Sequence, residues 1–146
     1  MPVGPPPIPP ISVAVWWFPV AVALGVTIAT CTALATVYAV TTDASARGSR
    51  HPSLWGVGAV AAWPVLLWYV GVYARRRDRD RPTARRERVA ASVAVGGWTA
   101  LVAAVLFAPP DPVTQVLWAA AAAPPVALGC YRLAFDAGGS GESPAA

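Results

Sequence analysis

Lysine is absent from the 146 residues, so all eleven cationic side chains other than the lone histidine are arginine. That bias, together with abundant Ala, Val and Pro, marks a GC-rich coding sequence rather than a mechanism. Charge of either sign is scarce: 12% of residues are charged and 56% hydrophobic, whereas a soluble domain carries about 25% charged residues. A packed aqueous core is therefore disfavoured against a bilayer. One histidine, His51, excludes a histidine-based metal cluster or catalytic triad, and it reads as a solvated loop residue. The two cysteines, Cys31 and Cys130, both fall in apolar segments. A disulfide needs Cα atoms within roughly 7 Å, so they are expected to remain unpaired, buried thiols that pack as small apolar groups.

What charge there is lies close together. Residues 75–88 read RRRDRDRPTARRER and hold Arg75, Arg76, Arg77, Arg79, Arg81, Arg85, Arg86 and Arg88. Set against Asp78, Asp80 and Glu87, these leave the segment at +5 in a chain of net charge +4. A dense cationic loop between two long apolar runs is the mark of a cytoplasmic loop in a multi-span membrane protein. The eight arginines are expected to contact anionic lipid headgroups, at about 1 kcal/mol each near the surface, rather than nucleic acid. Asp78 and Asp80, interleaved with arginines, read as salt-bridged neighbours rather than as a cation site.

Four spans follow from the apolar runs, at about 15–40, 54–74, 89–108 and 113–135. The fold class expected is all-α: an integral membrane four-helix bundle, residues 15–135, with both termini cytoplasmic and the chain multi-pass in the cell membrane. Residues 1–14 form a Pro-rich cytoplasmic arm with polyproline II character, and residues 136–146 a flexible Gly/Ser tail. No charged residue precedes Asp43. Trp16, Trp17 and Phe18 look like an interfacial aromatic belt, with Pro19 in the first turn of the span proper. Ala44-Ser45-Ala46 resembles a signal-peptide cleavage site. However, no positive charge precedes the apolar run, which is about twice the usual h-region length, so an uncleaved span is expected.

Gly25, Ala29 and Ala33 are spaced to offer a smooth stripe to a neighbouring helix, and Gly96-Gly97 reads as a close-packing point in the third span. The threonines of the first span are expected to bond back to their own helix carbonyls. Pro64 is expected to kink the second span, and Pro124-Pro125 to kink or break the fourth. This topology leaves one tension. Arg47 and Arg50 fall in the loop 41–53, on the outer side, while the other arginines lie within.

The turn before the last span, Pro109-Pro110-Asp111-Pro112-Val113-Thr114-Gln115, resembles two known patterns. It is similar to small archaeal multi-span membrane proteins that carry the same PPDPxTQ turn. More distantly it resembles the C-terminal half of TatC, the multi-span core of the twin-arginine translocase. There a Pro-Pro-Asp turn, with a Gln a few residues on, lies in the outer loop before the last span. The TatC resemblance spans residues 63–132 and carries over Pro109, Pro110, Asp111 and Gln115, which it implies as a partner-binding outer turn. TatC has a Glu where Ala62 stands and a Thr where Ala108 stands, and its N-terminal half has no counterpart here. Read from the residues alone, the same turn is a rigid cap for the fourth helix.

Outside the loops, the spans hold only Thr, Ser, Cys, Gln and Tyr side chains besides Arg132 at an end, which excludes a recognisable catalytic set. The absence of an intramembrane carboxylate or histidine argues against ion-coupled transport. The expected function is that of a non-enzymatic integral membrane protein, an accessory or assembly subunit without catalytic residues, metal or cofactor. A TatC-like translocation component or a small passive transporter or pore is the alternative. The partners expected are a bilayer with anionic headgroups and a second copy or another membrane protein.

Overall fold

The computed structural model describes residues 11–133, with side chains described from Trp17 onward. Among these residues the chain is helical without a strand: α1 (Ile11–Ala46), α2 (Pro52–Ala61), α3 (Trp63–Trp68), a π-helical turn (Tyr69–Tyr73), α4 (Ala74–Arg76), α5 (Arg85–Phe107) and α6 (Pro112–Tyr131). Three helices are long and apolar enough to cross a membrane, at Trp17–Ala46, Arg85–Phe107 and Pro112–Tyr131. The 136–146 tail and the first ten residues of the expected Pro-rich arm lie outside the described residues.

α1 is the longest helix. It starts ahead of the expected 15, so Pro19 lies inside it rather than in its first turn, and it runs on past Val40 through Thr41–Ala46. It ends at Gly48, whose φ of +67° is the left-handed conformation a glycine adopts without a Cβ penalty. The Gly48 N–H donates to the Ser45 carbonyl at 3.1 Å and the Ser49 N–H to the Ala44 carbonyl at 3.0 Å, the paired bonds of a Schellman ending. The packed face of α1 holds the buried residues Ala21, Thr32, Thr36, Val40 and Ala44. Of the stripe expected from spacing, Gly25 packs against Val116 of α6, but Ala29 faces outward. The hydroxyls of Thr27, Thr36 and Thr42 donate to the carbonyls four residues back, at 2.7–2.8 Å, as expected.

Residues 54–74, read as the second span, do not form one continuous membrane-length helix. Pro64 has no N–H for the carbonyl of Val60, and its ring excludes a continuous helix there. The backbone responds at Ala62, which turns extended at φ −143°, ψ 104°. The Val65 N–H then donates to Ala62 rather than Ala61, at 2.9 Å. The chain doubles back instead of kinking: Gly58 meets Val65 across the turn, and Trp55 near the start of α2 packs at a tilt against Tyr73 near the end of the return limb, centroids 4.7 Å apart. α2 has 10 residues, about 15 Å of rise, half the roughly 30 Å hydrocarbon core of a bilayer. So this segment is a helical hairpin whose two ends lie together at the end of α1, not a fourth crossing-length helix. Its foot packs closely, with Gly56 against Val37 and Thr41 of α1.

α5 and α6 complete the bundle. Both glycines of the expected close-packing point are buried at interfaces. A Cβ on Gly96 would lie 2.6 Å from the backbone of Ala127 in α6, and one on Gly97 would overlap the Thr32 side chain of α1. Asp111 caps α6, accepting the Thr114 N–H at 2.8 Å, with Pro112 in the first turn. α6 then runs unbroken through Pro124 and Pro125. The carbonyls of Ala120 and Ala121 lose their partners, yet the helix resumes within the same bundle, as spanning helices tolerate. Cys31 points out of the bundle and Cys130 is half-buried, both free, so Cys31 is not the buried thiol expected.

These contacts fix the polarity of the bundle. Gly25, Leu101, Ala104 and Gln115 surround one crevice near the α5–α6 turn, while Arg85, Ser92, Ala127 and Tyr131 lie together at the opposite end. The described chain therefore begins at the turn end and finishes at the arginine end.

Candidate functional site

The arginine end is built around two acids that sequence reasoning passed over, Asp43 and Glu87. The extension of α1 past Val40 puts Asp43 in its last turn, one turn before Arg47. Arg47 Nε donates to Asp43 Oδ2 at 2.7 Å, and this bond raises the Arg47 guanidinium above its ordinary pKa. The other nitrogen of that fork, Nη1, donates to the Ala74 carbonyl at 2.6 Å and to the carbonyl of Arg77, closing the end of the hairpin against α1. The Tyr69 hydroxyl, at the start of the π-helical turn, donates to Asp43 Oδ2 at 2.6 Å. Tyr69 is buried beneath Trp55 and Tyr73, and Arg77 lies over the Tyr73 ring, 5.2 Å from its centroid.

Arg79 joins the two acids. One guanidinium nitrogen pairs with Asp43 Oδ1 and the other with Glu87 Oε2 at 2.8 Å. Glu87 sits in the first turn of α5, where a carboxylate is favoured by the helix dipole, and it also accepts the Ala84 N–H at 3.3 Å and Arg81 at 2.7 Å. Its side chain is 7% exposed. The Asp80 N–H donates to the Ala46 carbonyl at 2.8 Å, which lays the loop over the end of α1. The arginine loop is thus a clasp joining α1, the hairpin and α5. The ion pairs of Arg79 and Arg81 run to Asp43 and Glu87, rather than to the neighbouring Asp78 and Asp80 as expected.

Below the clasp, a cleft of about 390 Å³ opens between α1, the return limb of the hairpin and α5. Asp43 and Tyr69 stand at its charged end. Thr36 and Trp98 stand deeper, where the Trp98 indole N–H donates to Thr36 Oγ1 at 3.0 Å. The remaining wall is apolar, including Leu66, Val70, Ala94 and Val95.

The residues singled out from the sequence divide between the two ends. Pro109, Pro110 and Asp111 are exposed at the turn end and Gln115 lines the small crevice there. The Asp111 carboxylate is engaged by its own helix, and hydrogen bonds from the Thr114 side chain and backbone hold it below its ordinary pKa. At the other end, Arg79 and Arg81 are drawn into the clasp, and Arg88 Nε donates to the Thr83 carbonyl at 3.3 Å. Arg75, Arg76, Arg77, Arg85 and Arg86 are exposed. Asp43 did carry a signal. It is the only acid before Asp78, with an arginine one helical turn later. No group of three His, Cys, Asp or Glu positioned to hold a metal ion occurs among the described residues. Each clasp carboxylate is occupied by guanidinium, so the arrangement ties the helix ends together. No protein-family model, curated protein or solved structure matches the chain.

Proposed function

We propose that the chain is a multi-pass protein of the cell membrane, non-enzymatic, acting as an accessory or assembly subunit, with the arginine end in the cytoplasm. Three membrane-length helices cross, and the α2–α3 hairpin enters from the cytoplasmic side and returns to it. Orientation rests on charge: Arg47 and Arg50, the loop arginines and Arg132 all fall at one end of this bundle, and positive charge marks the cytoplasmic face. The hairpin removes the tension of the four-span topology, in which Arg47 and Arg50 lay outside. The exposed loop arginines are available to anionic headgroups.

The observation that carries the subunit role is the hairpin tip. Non-helical backbone at membrane depth is tolerated where protein covers it. Here the carbonyls of Val60 and Ala61 lack their usual donors, and Trp63 beside them is 70% exposed. A neighbouring membrane protein or a second copy covers this tip in the assembled state. Purification in mild detergent is expected to retain a stoichiometric partner, or a homo-oligomer, that crosslinks to a cysteine placed at Ala61. A monomer with no partner contradicts the reading. The TatC-like alternative rests on the turn alone, and unchanged export of twin-arginine substrates in a deletion strain removes it.

A further inference from the structure

We propose that the cleft between the hairpin and α5 holds one acyl chain of an anionic phospholipid of the cytoplasmic leaflet, its phosphate lying at Arg75, Arg76 and Arg77. The proposal rests on the membrane reading above. The lining of the cleft suits an extended hydrocarbon chain. Its wall on α5 runs from Ala91 to Thr99, a depth of about 12 Å at 1.5 Å per residue, and below Asp43 and Tyr69 the wall is largely apolar.

Depth and charge agree with this choice. The hairpin reaches only halfway through the hydrocarbon core, so the cleft opens below its tip into the bilayer centre, where a long acyl chain continues. At the other end Ala74 lines the cleft, and the next three residues are Arg75, Arg76 and Arg77, all exposed. Asp43 also lines that end, but Arg47 and Arg79 neutralise it, so the field at the mouth is set by arginine. An amphiphile with an anionic head and an apolar tail matches both ends of the cleft together; a zwitterionic lipid matches only one.

The test is native mass spectrometry of the full chain, reconstituted in equal phosphatidylglycerol and phosphatidylcholine and then released from mild detergent. One bound phosphatidylglycerol per chain is expected. Its excess over phosphatidylcholine should fall by up to about fivefold per arginine in the series Arg75→Gln, Arg76→Gln, Arg77→Gln. Val95→Trp, which fills the cleft from its exposed α5 wall, should remove the bound lipid. Val102→Trp, exposed on α5 away from the cleft, should leave it in place. Val70→Trp fills the cleft from the hairpin side and decides the matter should Val95→Trp lose its helical circular dichroism. Lipid retained in both cleft-filling variants, equal retention of the two lipids, or a lipid-free dimer in which a second copy occupies the cleft would each overturn the proposal. A chain that stays soluble without detergent overturns the membrane reading itself, a different outcome from a membrane protein that binds no lipid.

Discussion

The Tyr69 hydroxyl donates to the Asp43 carboxylate at 2.6 Å across 26 positions of sequence, tying the return limb of the hairpin to the last turn of α1. A hydrogen bond to a charged group contributes about 1.5–3 kcal/mol. Tyr69→Phe keeps the ring stack with Trp55 and Tyr73 and loses only that bond. Unfolding in detergent should be easier by about 2 kcal/mol, with helical content unchanged. Stability equal to the wild type would show that the hairpin is held by packing alone.

Arginines within one loop should differ in kind. Arg79 bridges Asp43 and Glu87, whereas Arg75 is exposed. Arg79→Ala leaves a largely buried Glu87 with one partner fewer. The cost of breaking a buried pair, 3–5 kcal/mol, is reduced here by partial exposure to about 2 kcal/mol. Arg75→Ala should stay within about 0.5 kcal/mol of the wild type. Denaturant titration of the two variants side by side checks this, and equal effects would contradict the clasp.

The glycines of α5 and the hairpin give a graded series. Gly96→Ala drives a methyl into the backbone of Ala127, which has no rotamer to change, while Gly97→Ala meets the Thr32 side chain. Overpacking costs about 1–3 kcal/mol, with Gly96→Ala the more damaging. Gly71→Ala meets nothing within 4 Å and should be neutral or slightly stabilising. Thermal melting of the three variants orders them, and a neutral Gly96→Ala would contradict the close α5–α6 approach.

Much of this was legible in advance. The apolar lengths of α1, α5 and α6, the packing role of Gly96-Gly97 and the capping role of Asp111 all follow from local pattern. The hairpin does not, because an apolar run with one proline reads alike whether it kinks or reverses. The deciding fact is where its ends are tied, and the ties run from Tyr69 and Ala74 to a distant helix end. The clue that was present lay in Arg47 and Arg50, which a four-span topology sets apart from the other arginines. Asp43 was hidden because α1 was ended at Val40, which turned a helical i, i+4 pair into loop residues. The pairing of Arg79 with Asp43, 36 positions apart, has no signature in sequence. At Pro124-Pro125 the sequence left a kink or a break open, and the helix carries the two missing donors without a break.

The cap of α6 should show itself in acid. The Asp111 pKa is lowered in the folded chain, so its stabilising effect is present above the unfolded carboxylate value of about 3.9 and is lost as pH falls through the lower folded value. The melting temperature of the wild type should exceed that of Asp111→Ala by a constant margin near neutrality, and the gap should narrow below about pH 4. A margin unchanged into stronger acid would contradict a charge-assisted cap.

Membrane sidedness tests the hairpin most directly. With Cys31 and Cys130 replaced by alanine, single cysteines at Ser49, Thr83 and Pro110 report the two ends of the bundle to a membrane-impermeant maleimide on intact cells. Cysteines at Ser49 and Thr83 should both be protected until the membrane is opened, and the one at Pro110 labelled from outside. Labelling at Ser49 from outside, with Thr83 still protected, would mean that residues 54–74 cross the bilayer after all.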